Sequence, residues 1–179
     1  MKNLLTFLLI TCFFSIECFA QTSTNLPDER GYIVKVGEIA PDFTIIYPDG
    51  SSSKKLSDLK GSVVMLQFTA SWCSVCIKEM PHIEDDIWKA FKDKGLYVFG
   101  VDRKEKKEDV IKFAKKTKIT FPLIMDEDGS IFKLFADEKS GVTRNVIIDK
   151  SGKIAFLTRL FDENEFKKMI KKIEELLKE

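Results

Sequence analysis

This sequence of 179 residues has almost no net charge, one histidine and few long apolar segments. The 29 basic and 28 acidic residues nearly cancel, which argues against a nucleic-acid groove or a patch for acidic lipids. His82 is the only imidazole, so histidine can supply little to a zinc site. The apolar run from Leu4 to Phe14 is too short to span a bilayer, which takes about 20 apolar residues. The chain beyond this amino-terminal apolar segment has the length and composition of one globular domain.

Residues 1–20 have the pattern of a cleaved secretory signal. Lys2 precedes the apolar run, and Ala20 stands at the expected cut before Gln21. A bacterial lipoprotein signal is the alternative, with the lipid on Cys18 or Cys12, although Glu17 does not fit that pattern. We therefore predict an extracytoplasmic protein with a signal at 1–20, a polar linker or arm at 21–36, and a single domain at 37–179.

Removal of the signal leaves the mature chain with two cysteines, Cys73 and Cys76. They follow an apolar strand (63–68) and an aromatic turn, at the predicted start of a helix, where free backbone N–H groups and the helix dipole favour a thiolate. A disulfide across Ser74 and Val75 closes almost no loop and adds little stability, so a static structural bridge explains the pair poorly. The spacing indicates a pair that cycles between dithiol and disulfide.

The order of predicted elements is that of an α/β domain. A hairpin turning at 48–50 precedes the central strand, and a helix runs from Cys73 to about Lys94 with a kink at Pro81. A further strand at 96–101, a charged helix, a hairpin turning at 150–152 and an amphipathic terminal helix complete the chain.

Four segments in this order carry a resemblance to a known family, namely Ala40–Phe43, Leu59–Gly61, Trp72–Pro81 and Ile148–Lys153. The chain resembles the TlpA/ResA branch of the thioredoxin-like proteins. The resemblance implies a thioredoxin fold, with a central mixed β-sheet flanked by helices and an N-terminal β-hairpin extension. It also implies a periplasmic or membrane-tethered thiol-disulfide oxidoreductase without a cofactor or metal. The resemblance further implies disulfide-containing client proteins and a membrane redox partner. Several members of this branch act as reductants in cytochrome c maturation.

The same resemblance assigns catalytic roles to three residues. Cys73 attacks a client disulfide, Cys76 resolves the mixed disulfide, and Glu79 serves as the general base for Cys76. Independently of the family, Glu79 lies one helical turn beyond Cys76, where side chains three residues apart are neighbours. Classical thioredoxins carry a buried aspartate on the preceding strand, but this chain has Gln67 there, and an amide cannot titrate.

Three further residues are predicted to bind the client: Trp72, Val142 and Thr143. Thr143 occupies the place of the cis-proline that faces the cysteines in thioredoxin-like proteins. A cis peptide before threonine costs about 3 to 4 kcal/mol, so the loop either contains a strained cis peptide or has a trans one. A trans peptide would alter the groove that holds the incoming client chain. The threonine also brings a backbone N–H for a partner's backbone and a hydroxyl that can hydrogen-bond a sulfur.

Two other functions stay open. The Ala40–Phe43 opening also occurs in peroxiredoxin-like peroxidases, although neither cysteine follows their Pro-x-x-x-Thr/Ser-x-x-Cys pattern. The two thiols, with or without His82, could instead bind and deliver copper. His82 follows Cys76 by six residues and is predicted to point away from the thiols, on the helix surface.

Overall fold

The computed structural model describes residues 28–179. The predicted signal at 1–20, both of its cysteines and the first part of the predicted arm lie outside the described residues. Within the described part of the chain, no helix combines the length and apolar character needed to cross a membrane.

A five-stranded mixed sheet forms the centre of the domain, in the order β5-β4-β3-β6-β7. Strands β3, β4 and β5 are parallel, whereas β6 and β7 are antiparallel to their neighbours. The strands are β3 (Val63–Thr69), β4 (Leu96–Arg103), β5 (Leu123–Asp126), β6 (Arg144–Ile148) and β7 (Ile154–Arg159). With the small antiparallel hairpin of β1 (Thr44–Ile46) and β2 (Ser52–Lys55), this arrangement confirms the predicted α/β fold.

Strand β3 is buried along its whole length, because it lies in the middle of the sheet with both faces covered. Its alternate side chains enter two apolar clusters. One cluster includes Phe68, packed edge-to-face on Phe132 with ring centroids 5.4 Å apart. The other cluster includes Met65 and lies under the helices α1 (Ser74–His82), α3 (Lys107–Thr117) and α5 (Glu163–Lys178). The short α4 (Ser130–Phe135) covers the first cluster.

The helical segment that starts beside the cysteines changes its hydrogen bonding along its length. An α-helix is followed by a π-helical stretch (Ile83–Trp88), the short α2 (Lys89–Phe91) and a 3₁₀ turn (Lys92–Lys94). Pro81 lies inside α1 and cannot donate a backbone hydrogen bond, which is a usual cause of such irregularities. Gly95 ends the segment with φ 90°, as the sequence predicts.

The described part of the predicted arm packs tightly on the domain. Tyr32 and Val34 are buried, and the Tyr32 hydroxyl lies 2.6 Å from the Thr158 carbonyl and 3.1 Å from that of Asn145. Tyr32 also forms an isolated β-bridge with Ala136. Residues 28–36 thus contribute to the core, and the domain boundary at residue 37 stays a prediction.

Candidate active site

The two cysteines lie where β3 leads into α1, at the carboxyl edge of the parallel strands. Cys73 is the N-cap of α1, and its Sγ accepts a hydrogen bond of 3.2 Å from the backbone N–H of Cys76. The two residues form a disulfide, with their Cα atoms 5.3 Å apart. Cys73 is 7% exposed and Cys76 is fully buried, so an incoming molecule reaches the sulfur of Cys73 first.

Thr143 closes the site from the opposite side. Its Oγ1 lies 3.1 Å from Cys73 Sγ and 3.3 Å from Cys76 Sγ, and the residue is 3% exposed. All peptide bonds among residues 28–179 are trans, so the peptide bond before Thr143 is trans and not cis. Val142, the preceding residue, is buried as well.

Trp72 lies on the surface directly before Cys73. Its exposed fraction of 67% shows that the indole does not pack in the core. The structure therefore brings Trp72, Val142 and Thr143 around the cysteines, with an exposed indole and a buried loop.

Glu79 is buried one turn beyond Cys76, with 1% exposure. Its Oε1 accepts a 2.7 Å hydrogen bond from Asn145 Nδ2, and its Oε2 accepts one of 3.1 Å from Gln67 Nε2. Burial raises the pKa of Glu79 from 4.5 to about 7, and the two amide donors partly oppose that rise. The carboxyl can therefore gain or lose a proton near neutral pH.

Sequence reasoning missed the role of Asn145 and saw in Gln67 only a lost titratable group. The two residues are direct cross-strand partners on β3 and β6, so their side chains share one face. Asn145 also donates to Thr158 Oγ1 at 2.8 Å. A signal was present, because Asn145 directly precedes the apolar run Val146–Ile148 of a predicted strand, and a buried polar residue needs a partner.

Two further acidic residues lie by the active-site turn, and one of them, Glu105, holds it. Glu105 accepts hydrogen bonds from the backbone N–H and the hydroxyl of Ser71, at 2.6 and 2.5 Å. Asp102 is fully buried at the end of β4, and burial, with Glu105 nearby, raises its pKa to about 8. Sequence reasoning did not single out these acids, since a β4 end followed by charged residues resembles an ordinary loop.

His82 lies at the end of α1 and stacks on Phe161, with ring centroids 5.0 Å apart. Across residues 28–179, no group of three or more His, Cys, Asp or Glu side chains is placed to hold a metal ion.

Comparison with known proteins gives concordant results. A model of the AhpC/TSA family matches residues 36–157. The thiol-disulfide oxidoreductase ResA of Bacillus thuringiensis subsp. konkukian is 32% identical over 130 residues, which cover 70% of this chain and 73% of the relative.

Two solved structures extend the likeness to three dimensions. A candidate protein disulfide isomerase from Bacteroides thetaiotaomicron is 54% identical, with a TM-score of 0.80, covering 83% of this chain and 94% of that one. A candidate thiol:disulfide interchange protein DsbE from Chlorobium tepidum is 30% identical, with a TM-score of 0.71, covering 80% of this chain and 99% of that one. The chain therefore belongs to the AhpC/TSA family, among its ResA-like thiol-disulfide oxidoreductases.

Proposed function

We propose that the protein reduces disulfide bonds of client proteins, with Cys73 as the attacking thiolate and Cys76 as the resolving thiol. The observation that carries this assignment is the position of Cys73 Sγ, which is the more accessible sulfur and accepts the Cys76 N–H at 3.2 Å. Such a donor at a helix start stabilises a sulfur anion.

The thiol-disulfide exchange proceeds in two steps. The Cys73 thiolate attacks one client sulfur, which forms a mixed disulfide and releases the other client sulfur as a thiolate. The Cys76 thiolate then attacks Cys73 Sγ, which forms the Cys73–Cys76 disulfide and releases the second client thiolate. Two electrons pass from the cysteine pair to the client.

Glu79 is the base that takes the proton from Cys76 before the second step, directly or through water. Two features support this role: the i, i+3 placement on α1 and a pKa of about 7, which suits proton transfer at neutral pH. Asn145 and Gln67 orient the carboxyl through their two hydrogen bonds.

Trp72, Val142 and Thr143 bind the client beside Cys73. The exposed indole of Trp72 offers apolar contact area, and aromatic side chains of this kind contribute strongly at interfaces. Thr143 faces the sulfurs through its hydroxyl, and Val142 precedes it in the same buried loop.

The protein works outside the cytoplasm, in the bacterial periplasm. The signal pattern at 1–20 and the ResA-like relatives support this location, and a lipid on Cys18 is the alternative to cleavage after Ala20. Because the active pair ends each cycle as a disulfide, a membrane redox partner has to return two electrons to it.

Trapping with insulin tests the assignment of the two sulfurs. A Cys76→Ser variant cannot resolve, so it is expected to accumulate a mixed disulfide with an insulin chain, visible on a non-reducing gel. The matched Cys73→Ser variant should form no such adduct. Adducts of equal yield from both variants would show that the order of attack is wrong.

The equilibrium reduction potential tests the direction of electron flow. We expect a value near that of thioredoxin, about −270 mV, as a dedicated reductant requires. The measurement is equilibration with glutathione redox buffers, followed by alkylation of the free thiols. A value near that of the strong oxidant DsbA, about −120 mV, would reverse the proposed direction.

A further inference from the structure

We propose that the Thr143 hydroxyl is a catalytic hydrogen-bond donor to the Cys73 thiolate, in addition to the role of Thr143 in client binding. The inference rests on the proposed function of Cys73 as the attacking sulfur. Thr143 Oγ1 lies 3.1 Å from Cys73 Sγ, within range of a hydrogen bond to sulfur. The proline expected at this position has neither a hydroxyl nor a backbone N–H.

The direction of the hydrogen bond follows from the chemistry of the disulfide. Neither sulfur of the Cys73–Cys76 bridge carries a hydrogen, so the Thr143 hydroxyl is the donor in both contacts, at 3.1 and 3.3 Å. When the pair is reduced and Cys73 ionises, the same hydroxyl already points at the new charge. Together with the Cys76 N–H, the thiolate then has two donors aimed at it.

The contact is stronger in one redox state than in the other. A disulfide sulfur is a weak acceptor, whereas a thiolate carries a full charge, and hydrogen bonds to charged groups are about twice as strong as neutral ones. The hydroxyl therefore stabilises the ionised dithiol more than the disulfide. The result is a lower pKa of Cys73. The reduction potential becomes less negative, because the reduced pair is stabilised relative to the disulfide.

The Thr143 loop is built to hold the hydroxyl in this position. The Thr143 carbonyl accepts hydrogen bonds from Arg159 Nη1 at 2.9 Å and from the Leu160 backbone N–H at 3.2 Å. Leu160 has φ 66°, a left-handed conformation that a residue with a side chain rarely adopts. Its N–H thus reaches the Thr143 carbonyl from a strained conformation that the surrounding structure has to impose.

The start of the same loop is anchored by two largely buried arginines. Arg144 Nη2 donates to the Gly141 carbonyl at 2.9 Å, and Arg103 Nη2 donates to the Glu138 carbonyl at 2.6 Å. Thr143 itself is almost fully buried, and a β-branched side chain has few χ1 rotamers. The hydroxyl is therefore preorganised, and little reorganisation is needed when Cys73 becomes charged.

Two matched substitutions separate a donor from a residue that merely fills space. Thr143→Val keeps the shape and removes the hydroxyl, whereas Thr143→Ser keeps the hydroxyl and removes a methyl group. We expect Thr143→Val to raise the pKa of Cys73 by about one unit, a tenfold loss of thiolate below that pKa. The rate of alkylation of Cys73, measured at a pH below its pKa, should fall about tenfold, while Thr143→Ser stays close to the wild type. The pKa is read from the ultraviolet absorbance of the thiolate in the reduced protein.

The outcomes are distinguishable from failure of the proposed function. If Cys76→Ser traps no client at all, Cys73 is not the nucleophile and both ideas fall together. If the adduct forms but Thr143→Val titrates like the wild type, or Thr143→Ser shifts as far as Thr143→Val, only the donor role is overturned. If Thr143→Val does not fold, Thr143→Ala against Thr143→Ser makes the same comparison, with the larger shift expected for alanine.

Discussion

Replacement of Glu79 by glutamine is expected to slow resolution of the mixed disulfide about 100-fold at neutral pH, the lower end of the range for general-base catalysis. Glutamine keeps the size of the side chain but cannot accept a proton. Cys76 is fully buried, so its thiol loses a proton to bulk water only with difficulty. In the variant, the attacking thiolate of the second step forms slowly.

The rate is best measured on a preformed mixed disulfide between Cys73 and a coloured aryl thiolate. This leaving group needs no proton, so its release reports the ionisation and attack of Cys76 alone. Glu108→Gln is the matched control, because Glu108 lies exposed on α3. Release as fast in Glu79→Gln as in that control would exclude Glu79 as the base.

A companion variant keeps the base and changes its surroundings. Asn145→Val removes the 2.7 Å donor to Glu79, which raises the pKa of the carboxyl further. The pH at which release of the coloured thiolate reaches half its maximum should rise by about one unit. A residue that only maintained the fold would not move this midpoint.

The second large effect concerns stability as a function of pH. Burial raises the pKa of Glu79 from its ordinary value of 4.5, which applies to the unfolded chain, to about 7 in the folded chain. Between these values the folded state binds more protons than the unfolded state, so the free energy of unfolding falls as pH rises. The difference corresponds to about 3 kcal/mol, which the wild type loses by the time Glu79 is ionised in the folded state.

Glu79→Gln removes this titration, so the variant should gain about 3 kcal/mol relative to the wild type between about pH 4 and about pH 8. Urea unfolding of the oxidised proteins at these two pH values measures the gain without interference from free thiols. Asp102 also has a raised pKa and acts in the same direction, but it is present in both proteins and cancels. Parallel stability curves would mean that Glu79 titrates normally.

Glutamine is a suitable replacement because the surrounding amides can adapt. Gln67 Oε1 and Asn145 Oδ1 have no hydrogen-bond partner among residues 28–179. Rotation of either amide by half a turn would turn its oxygen towards the new NH₂ group. The fold of the variant should therefore survive, and its kinetic and pH effects can be read separately.

Local patterns were enough to predict the parts of the molecule that lie close together in sequence. The apolar strand, the turn and the helix start place Cys73 and Cys76, and helical spacing alone brings Glu79 near them. The alternation of strands and helices gave the α/β fold.

The remaining parts of the site depend on pairing between distant strands. Nothing local aligns Gln67 with Asn145, because the β3–β6 register fixes that pair. The trans peptide and the position of the Thr143 hydroxyl depend likewise on donors from Arg159 and Leu160 at the end of β7.

Tyr32 joins the amino-terminal segment to strands β6 and β7. Its hydroxyl lies against the carbonyls of Asn145 and Thr158, and Asn145 is one of the two residues that hydrogen-bond Glu79. Shortening the chain to begin at Gly37 would empty the space filled by this ring and remove the hydroxyl donor that lies 2.6 Å from the Thr158 carbonyl. A shortened form of the protein therefore has to begin upstream of Asp28 to keep this contact.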